Sequence, residues 1–201
     1  GNWFVTPEII RTVKKERVKD LMEAASSYNE IISRPLRTED EEYEMFYEYY
    51  QELFQKINYS VPDTLLKHFA ADTTYSSEKC TFYDGIKEEL AMLESEYTLL
   101  LLSDNWPCGM RILKEGNLIQ YFKRIYISSI YGTVKKDGTF FEYPIHDFNI
   151  KENEAIFIDD NETLLEVGET YGFQGMLMDR SEKVKTSKYK ILKNLKGIER
   201  A

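Results

Sequence analysis

Two adjacent carboxylates, Asp159 and Asp160, follow the run Ala155-Ile156-Phe157-Ile158 and precede a helix-like segment. Acids so placed stand at the carboxyl end of a buried strand, where open α/β sheets bind their ligands. Neighbouring hard oxygen donors at such a place suit Mg²⁺. Two further polar sets follow apolar runs. Ser103-Asp104-Asn105 comes directly after Leu99-Leu100-Leu101-Leu102, and Lys135 lies in the stretch Gly132-Thr133-Val134-Lys135-Lys136-Asp137-Gly138. A hydroxyl, a lysine and a carboxylate pair, each past a strand end, could converge on one anion and one metal. A phosphoryl group with Mg²⁺ needs that combination: donors to its oxygens, a cation against their charge, and acids on the metal. Taken singly, each set has a plainer reading. Ser and Asn are turn residues, loop lysines are usually solvated, and acids favour helix N-termini.

The elements that must position these groups fall into two halves. Residues 1–80 read as helical. Pro7 suits a first helical turn with Thr6 as its cap. Ile9, Val13, the Arg17 stem, Leu21, Ala25, Tyr28 and Ile32 continue at helical spacing until Pro35. Thr38-Glu39-Asp40-Glu41 is a capping box. It opens an apolar stripe of Tyr43, Phe46, Tyr47, Tyr50, Phe54 and Ile57. A stripe at this spacing needs no ligand and reads first as packing, though its tyrosines would also suit the wall of a substrate pocket. Pro62-Asp63 opens a further helix through Leu65, Leu66 and Phe69.

The second half alternates. Helices are expected over 85–96, 111–122, 139–147 and 162–171, with Gly172 as a stop. Strands are expected over 97–102, 124–128, 154–158 and 174–178, with a terminal amphipathic helix over 188–196. This order implies a parallel sheet with helices on both faces. The expected domains are a helical cap over 1–80 and an α/β core over 81–201.

Composition narrows the function. The net charge of −9 speaks against a general binder of nucleic acid or anionic membrane. Two cysteines, Cys80 and Cys108, and two histidines, His68 and His146, make neither a disulfide framework nor a zinc cluster. No run approaches the roughly 20 apolar residues of a membrane span, and no signal peptide stands at the N-terminus. A cytoplasmic protein is expected, with a homodimer left open.

Order and spacing together resemble the haloacid dehalogenase (HAD) superfamily, in particular its small phosphatases with a helical cap. Leu99 to Asn105 is similar to the second motif, an apolar strand ending in Ser or Thr. Gly132 to Phe141 is similar to the third, where Lys136 replaces the usual Pro. Phe157-Ile158-Asp159-Asp160-Asn161 with Gly172-Phe173-Gln174-Gly175 is similar to the fourth. Tyr83 to Leu90 resembles the re-entry into the core. The likeness spans residues 80–201 well and 1–80 loosely. It implies a HAD-like Rossmannoid sheet plus an all-helical cap. It also implies that Ser103 binds a phosphoryl oxygen, Lys135 neutralises it, and Asp159 and Asp160 serve Mg²⁺. Asp104, Asn105 and Trp106 are the candidate substrate-binding residues, although alternation leaving a strand would turn Asp104 away from Ser103.

The family's first motif, Asp-x-Asp-Gly-Thr, is not found in the 201 residues. Its first Asp is the nucleophile and its second the general acid and base. Asp84 in Phe82-Tyr83-Asp84-Gly85 lacks the first Asp and reads as a helix cap. Gly1 to Pro7 resembles the linker into the cap, so the chain is expected to start just after that motif, truncated of the central first strand. The expected activity of the complete protein is Mg²⁺-dependent hydrolysis of a small phosphorylated metabolite, this chain itself being inactive. The alternative is a HAD-fold protein that binds without catalysing. The doubled acid Asp159-Asp160 counts against the metal-free dehalogenase branch.

Overall fold

A computed structural model describes residues 4–26 and 34–198. The chain forms two compact units. One takes Gly1–Thr81 with Trp106–Ile112, and the other takes Phe82–Asn105 with Leu113–Ala201.

The first unit is helical. Its elements are α1 (Pro7–Thr12), α2 (Val18–Ser26), α3 (Glu39–Lys56) and α4 (Asp63–Tyr75). Thr6 caps α1 by accepting from the Ile9 amide. Thr38 and Glu41 complete the capping box of α3. The stripe of α3 is core: Phe46, Tyr50 and Phe54 are buried with Ile9, Leu21 and Phe69. Tyr43 and Tyr47 only flank that cluster. The Tyr50 hydroxyl donates to the Phe4 carbonyl at 2.6 Å and lies 2.6 Å from the Thr73 hydroxyl, so even its polar tip is satisfied.

The single helix expected from Pro7 onward is broken. Val13 is extended, at φ −94° and ψ 153°, and Lys15–Arg17 is a 3₁₀ turn before α2. There the Arg17 guanidinium donates to the Ile57 carbonyl and pairs with Asp20 at 2.7 Å. Tyr28 and Ile32 lie outside the described residues.

The second unit is α/β. Helix α5 (Ile86–Glu94) leads to β1 (Leu100–Ser103); α6 (Cys108–Glu115), whose residues 108–112 belong to the first unit, precedes β2 (Arg124–Ile127). Then come α7 (Ser128–Tyr131), α8 (Glu142–Phe148), β3 (Ile156–Asp159), α9 (Glu162–Thr170), β4 (Gln174–Met178) and β5 (Lys190–Leu192). Among the described residues all strand pairings are parallel, in two sheets of order β1-β2 and β3-β4-β5.

Several sequence expectations shift here. The helix expected over 111–122 starts at Cys108 and ends at Glu115; Asn117 adopts φ +52°, which no helix continues through. The first strand begins at Leu100 rather than Tyr97. Asp84 caps nothing: Gly85, at φ 77°, is the N-cap of α5 and no side chain caps that helix. The terminal amphipathic helix is instead β5 followed by a 3₁₀ turn over Leu195–Gly197.

Candidate functional site

Lys135 organises the site. It opens a 3₁₀ turn, Lys135–Asp137, which ends at Gly138 with φ +81°. That backbone conformation suits Gly alone, and a Cβ there would also lie 2.8 Å from the Tyr171 ring. From this turn the Lys135 amide donates to Asp104 Oδ1 at 3.0 Å, and its ammonium donates to Asp159 Oδ2 at 2.6 Å. The pair is buried: side-chain exposure is 12% for Lys135 and 7% for Asp159. The ammonium also lies 5.9 Å from the centre of the Phe157 ring. Lys136 is exposed, so Lys135 is the inward lysine.

Asp159 ends β3 and its other oxygen accepts the Asn161 amide at 3.0 Å. Asn161 in turn caps α9 by accepting from Thr163 at 3.0 Å. The strand-to-helix turn therefore holds Asp159 from both sides. Asp160 is exposed.

Ser103 ends β1, in register with Ile127, and its hydroxyl has no hydrogen-bond partner among the described residues. The next residue does not turn away: Asp104 holds the lysine turn. Alternation fails as a guide because β1 ends at Ser103, so the pleat no longer dictates direction. The Asp104 carboxyl is pushed above its ordinary range. Desolvation is the main cause; the Lys135 amide and charge oppose it, and the Asp159 and Asp137 charges add smaller rises.

Asn105 acts through its backbone. Its amide donates to the Ser128 hydroxyl at 3.0 Å, and its carbonyl accepts from that hydroxyl and from the Ser129 amide. These bonds pin the exit of β1 to the start of α7. Trp106 packs in the helical unit, edge-on to Phe46 at 5.3 Å and Phe4 at 6.3 Å.

The cluster thus brings together Asp104, Lys135 and Asp159, with Ser103 next to Asp104 in the chain. Lys135 thus bonds the residue just past the carboxyl end of β1 and the last residue of β3. A groove of about 420 Å³ lined by Gln174, Lys188, Tyr189 and Lys190 lies at the opposite, amino ends of β4 and β5. It touches none of these residues.

Chemically, the site offers a free hydroxyl and a fixed ammonium to an anion. As a metal site it is incomplete. Asp159 already serves Lys135 and the Asn161 amide, and no group of three or more His, Cys, Asp or Glu able to hold a metal occurs among the described residues. The two acids alone do not fit an octahedral Mg²⁺ shell.

A profile of the family described as haloacid dehalogenase-like hydrolase matches residues 23–178. The chain belongs to this family. Over 89 residues the chain is 28% identical to D-ribitol-5-phosphate phosphatase of Bacteroides thetaiotaomicron, covering 41% of this chain and 43% of that protein. The match thus spans less than half the length of that relative.

Solved HAD structures share the fold at low identity. One is a HAD family enzyme of Bacteroides thetaiotaomicron in complex with magnesium and inorganic phosphate. Its TM-score is 0.61 at 16% identity, over 89% of this chain and 87% of that one. Another is a HAD phosphatase from Thermococcus onnurineus. Its TM-score is 0.61 at 15% identity, over 95% and 85%.

Proposed function

We propose that this chain carries the phosphoryl-binding half of a Mg²⁺-dependent phosphomonoester hydrolase acting on a small phosphorylated metabolite. The observation that carries the reading is the convergence of Asp104, Lys135 and Asp159 at the ends of two parallel strands. In this reading Ser103 donates to a phosphoryl oxygen and Lys135 offsets its charge. Asp104 fixes the lysine turn through the Lys135 amide. Asp159 and Asp160 are the chain's contribution to the metal. The phosphatase among the relatives and the phosphate-bound fold neighbour support the substrate class.

Turnover also needs a nucleophile in line with the leaving group and an acid to protonate it. Among the described residues no histidine contacts Ser103, since His68 pairs with Glu8 and His146 with Asp147, and the neighbouring Asp104 is engaged by the Lys135 amide. The pair of aspartates of the first HAD motif would supply both roles from a strand set beside β1 and β3.

The test is turnover of p-nitrophenyl phosphate. The 201-residue chain is expected to be no faster than a Lys135→Ala, Asp159→Asn control. A version extended by an apolar strand ending in Asp-x-Asp is expected to gain Mg²⁺-dependent activity. Robust turnover by the short chain, abolished by Ser103→Ala, would overturn the assignment of roles. The second reading, binding without catalysis, is favoured by the fixed Lys135 ammonium, held by Asp159 with no histidine among its partners. It predicts that the extended version binds phosphate and still does not turn over.

A further inference from the structure

The groove at the amino ends of β4 and β5 encloses about 420 Å³, an ordinary size for a small-molecule site. Its lining includes Glu152, Glu169, Phe173, Lys188, Tyr189 and Lys190, all within the α/β unit. It stands apart from the phosphoryl cluster. Asp159 is the last residue of β3, and β3 runs parallel to β4, so the two places lie at opposite ends of one sheet.

Two glycines shape the groove. A Cβ on Gly175 would lie 2.6 Å from the Tyr189 ring, and one on Gly172 would lie 3.1 Å from the Glu152 side chain. Both side chains therefore rest directly against the chain that forms the floor. Backbone bonds fix the rim. The Asn153 amide donates to the Gly172 carbonyl at 2.8 Å, and the Gln174 amide donates to the Ala155 carbonyl at 2.9 Å. The Gln174 side chain adds a bond to the Asn153 carbonyl at 3.3 Å. Glu152 thus projects from an ordered backbone.

The charges select the ligand. Lys188 is engaged by Glu169 at 3.2 Å and by Glu166 at 3.5 Å. Glu152 and Lys190 are exposed and have no ion-pair partner among the described residues. A single exposed charge is ordinarily just solvated. Here one acid and one base share a groove with two aromatic rings, the half-buried Phe173 and the buried Tyr189. A ligand that carries both signs around an apolar body matches that set.

We propose that this groove binds a free α-amino acid with an apolar side chain. The ammonium of the ligand faces Glu152, its carboxylate faces Lys190, and its side chain lies against Phe173 and Tyr189. Charge-assisted hydrogen bonds at the two ends orient it, and the rings supply apolar contact. None of Ser103, Lys135 or Asp159 takes part, so the proposal does not depend on the phosphatase reading.

The experiment titrates the isotope-labelled 201-residue protein and follows its amide shifts by two-dimensional NMR. The probes are L-phenylalanine, N-acetyl-L-phenylalanine, which lacks the ammonium, L-phenylalaninamide, which lacks the carboxylate, and ribitol, which lacks both. L-phenylalanine is expected to bind saturably, with shifts centred on residues 152–153, 172–175 and 188–190. Each analogue lacking one charge is expected to bind at least about threefold more weakly, the scale of an exposed charge contact. Ribitol is expected to give no saturable shift. Glu152→Gln should erase the preference for L-phenylalanine over its N-acetyl form and keep the preference over the amide. Lys190→Gln should do the reverse. Both side chains are exposed, so neither substitution disturbs the core. No saturable shift with L-phenylalanine would overturn the proposal, as would shifts centred outside the groove. Equal binding of either analogue, ribitol binding as tightly, or variants that keep both preferences would overturn it too. No phosphate is present and no turnover is read, so failure here and failure of the phosphatase reading stay separate.

Discussion

Lys135 and Asp159 form a short ion pair that is almost wholly removed from water. Breaking such a pair by removing one partner leaves a buried charge, at a cost of roughly 3 kcal/mol or more. Lys135→Met and Asp159→Asn should each destabilise the protein, and the double variant should cost less than their sum. A coupling of about 1–3 kcal/mol in urea denaturation is expected. Strict additivity would show that the two groups do not depend on each other. In the helical unit, Glu42 is fully buried; one oxygen accepts the Cys108 amide at 2.8 Å and the other has no hydrogen-bond partner among the described residues. Burial, more than any neighbour, raises its carboxyl above the usual range, against the opposing Cys108 bonds and Lys79 charge, while Glu39 adds to the rise. The same burial, with Glu42 beside it, pushes the Cys108 thiol up to about 12. A raised carboxyl favours folding fully below its unfolded pKa and loses that contribution as pH rises through the folded one. Glu42→Gln cannot ionise, so its melting temperature relative to wild type should climb between pH 4 and pH 8. A difference that does not change with pH would contradict the shift.

Elements show how packing chooses between similar local patterns. Tyr189, Ile191, Leu192 and Leu195 satisfy a helical stripe nearly as well as a short strand. The backbone of β4 decides for the strand, pairing Leu177 with Ile191 and Met178 with Leu192. Close contact at Gly175 supports that choice. A Cβ on Gly175 would lie 2.6 Å from the Tyr189 ring, itself packed with Leu165 and Leu177. Gly175→Ala should therefore cost about 1–3 kcal/mol through overpacking, read as a lower denaturation midpoint at unchanged slope. Combining it with Tyr189→Ala should recover part of the loss, and failure to recover any would place the clash elsewhere.

For the molecule as a whole, the metal is the sharpest question. Two adjacent acids, one of them already paired to Lys135, are too few donors for a small hard cation that demands six-fold geometry. Isothermal titration of the 201-residue chain with MgCl₂ should show no tight, saturable binding. Tight binding lost in Asp159→Asn would mean that the acids suffice and that Lys135 yields to the ion. No described helix is long and apolar enough to cross a membrane.

By itself the sequence determined the family, the parallel α/β order and the residues worth watching, because these depend on local pattern. Apolar runs ended by Ser103 and Asp159, the capping box at Thr38–Glu41 and the stripe through Phe46, Tyr50 and Phe54 are all short-range signals. Even the choice of Lys135 over Lys136 came from its spacing to Gly132 and the turn that follows. What tertiary structure decided are the contacts between distant segments. Asp104 meets the Lys135 amide across 31 residues, Arg17 reaches Ile57 across 40, and Glu42 reaches Cys108 across 66. No periodicity encodes these, because each depends on where two separate elements come to rest. The same holds for β5, whose strand character comes from the edge of β4 that it pairs with.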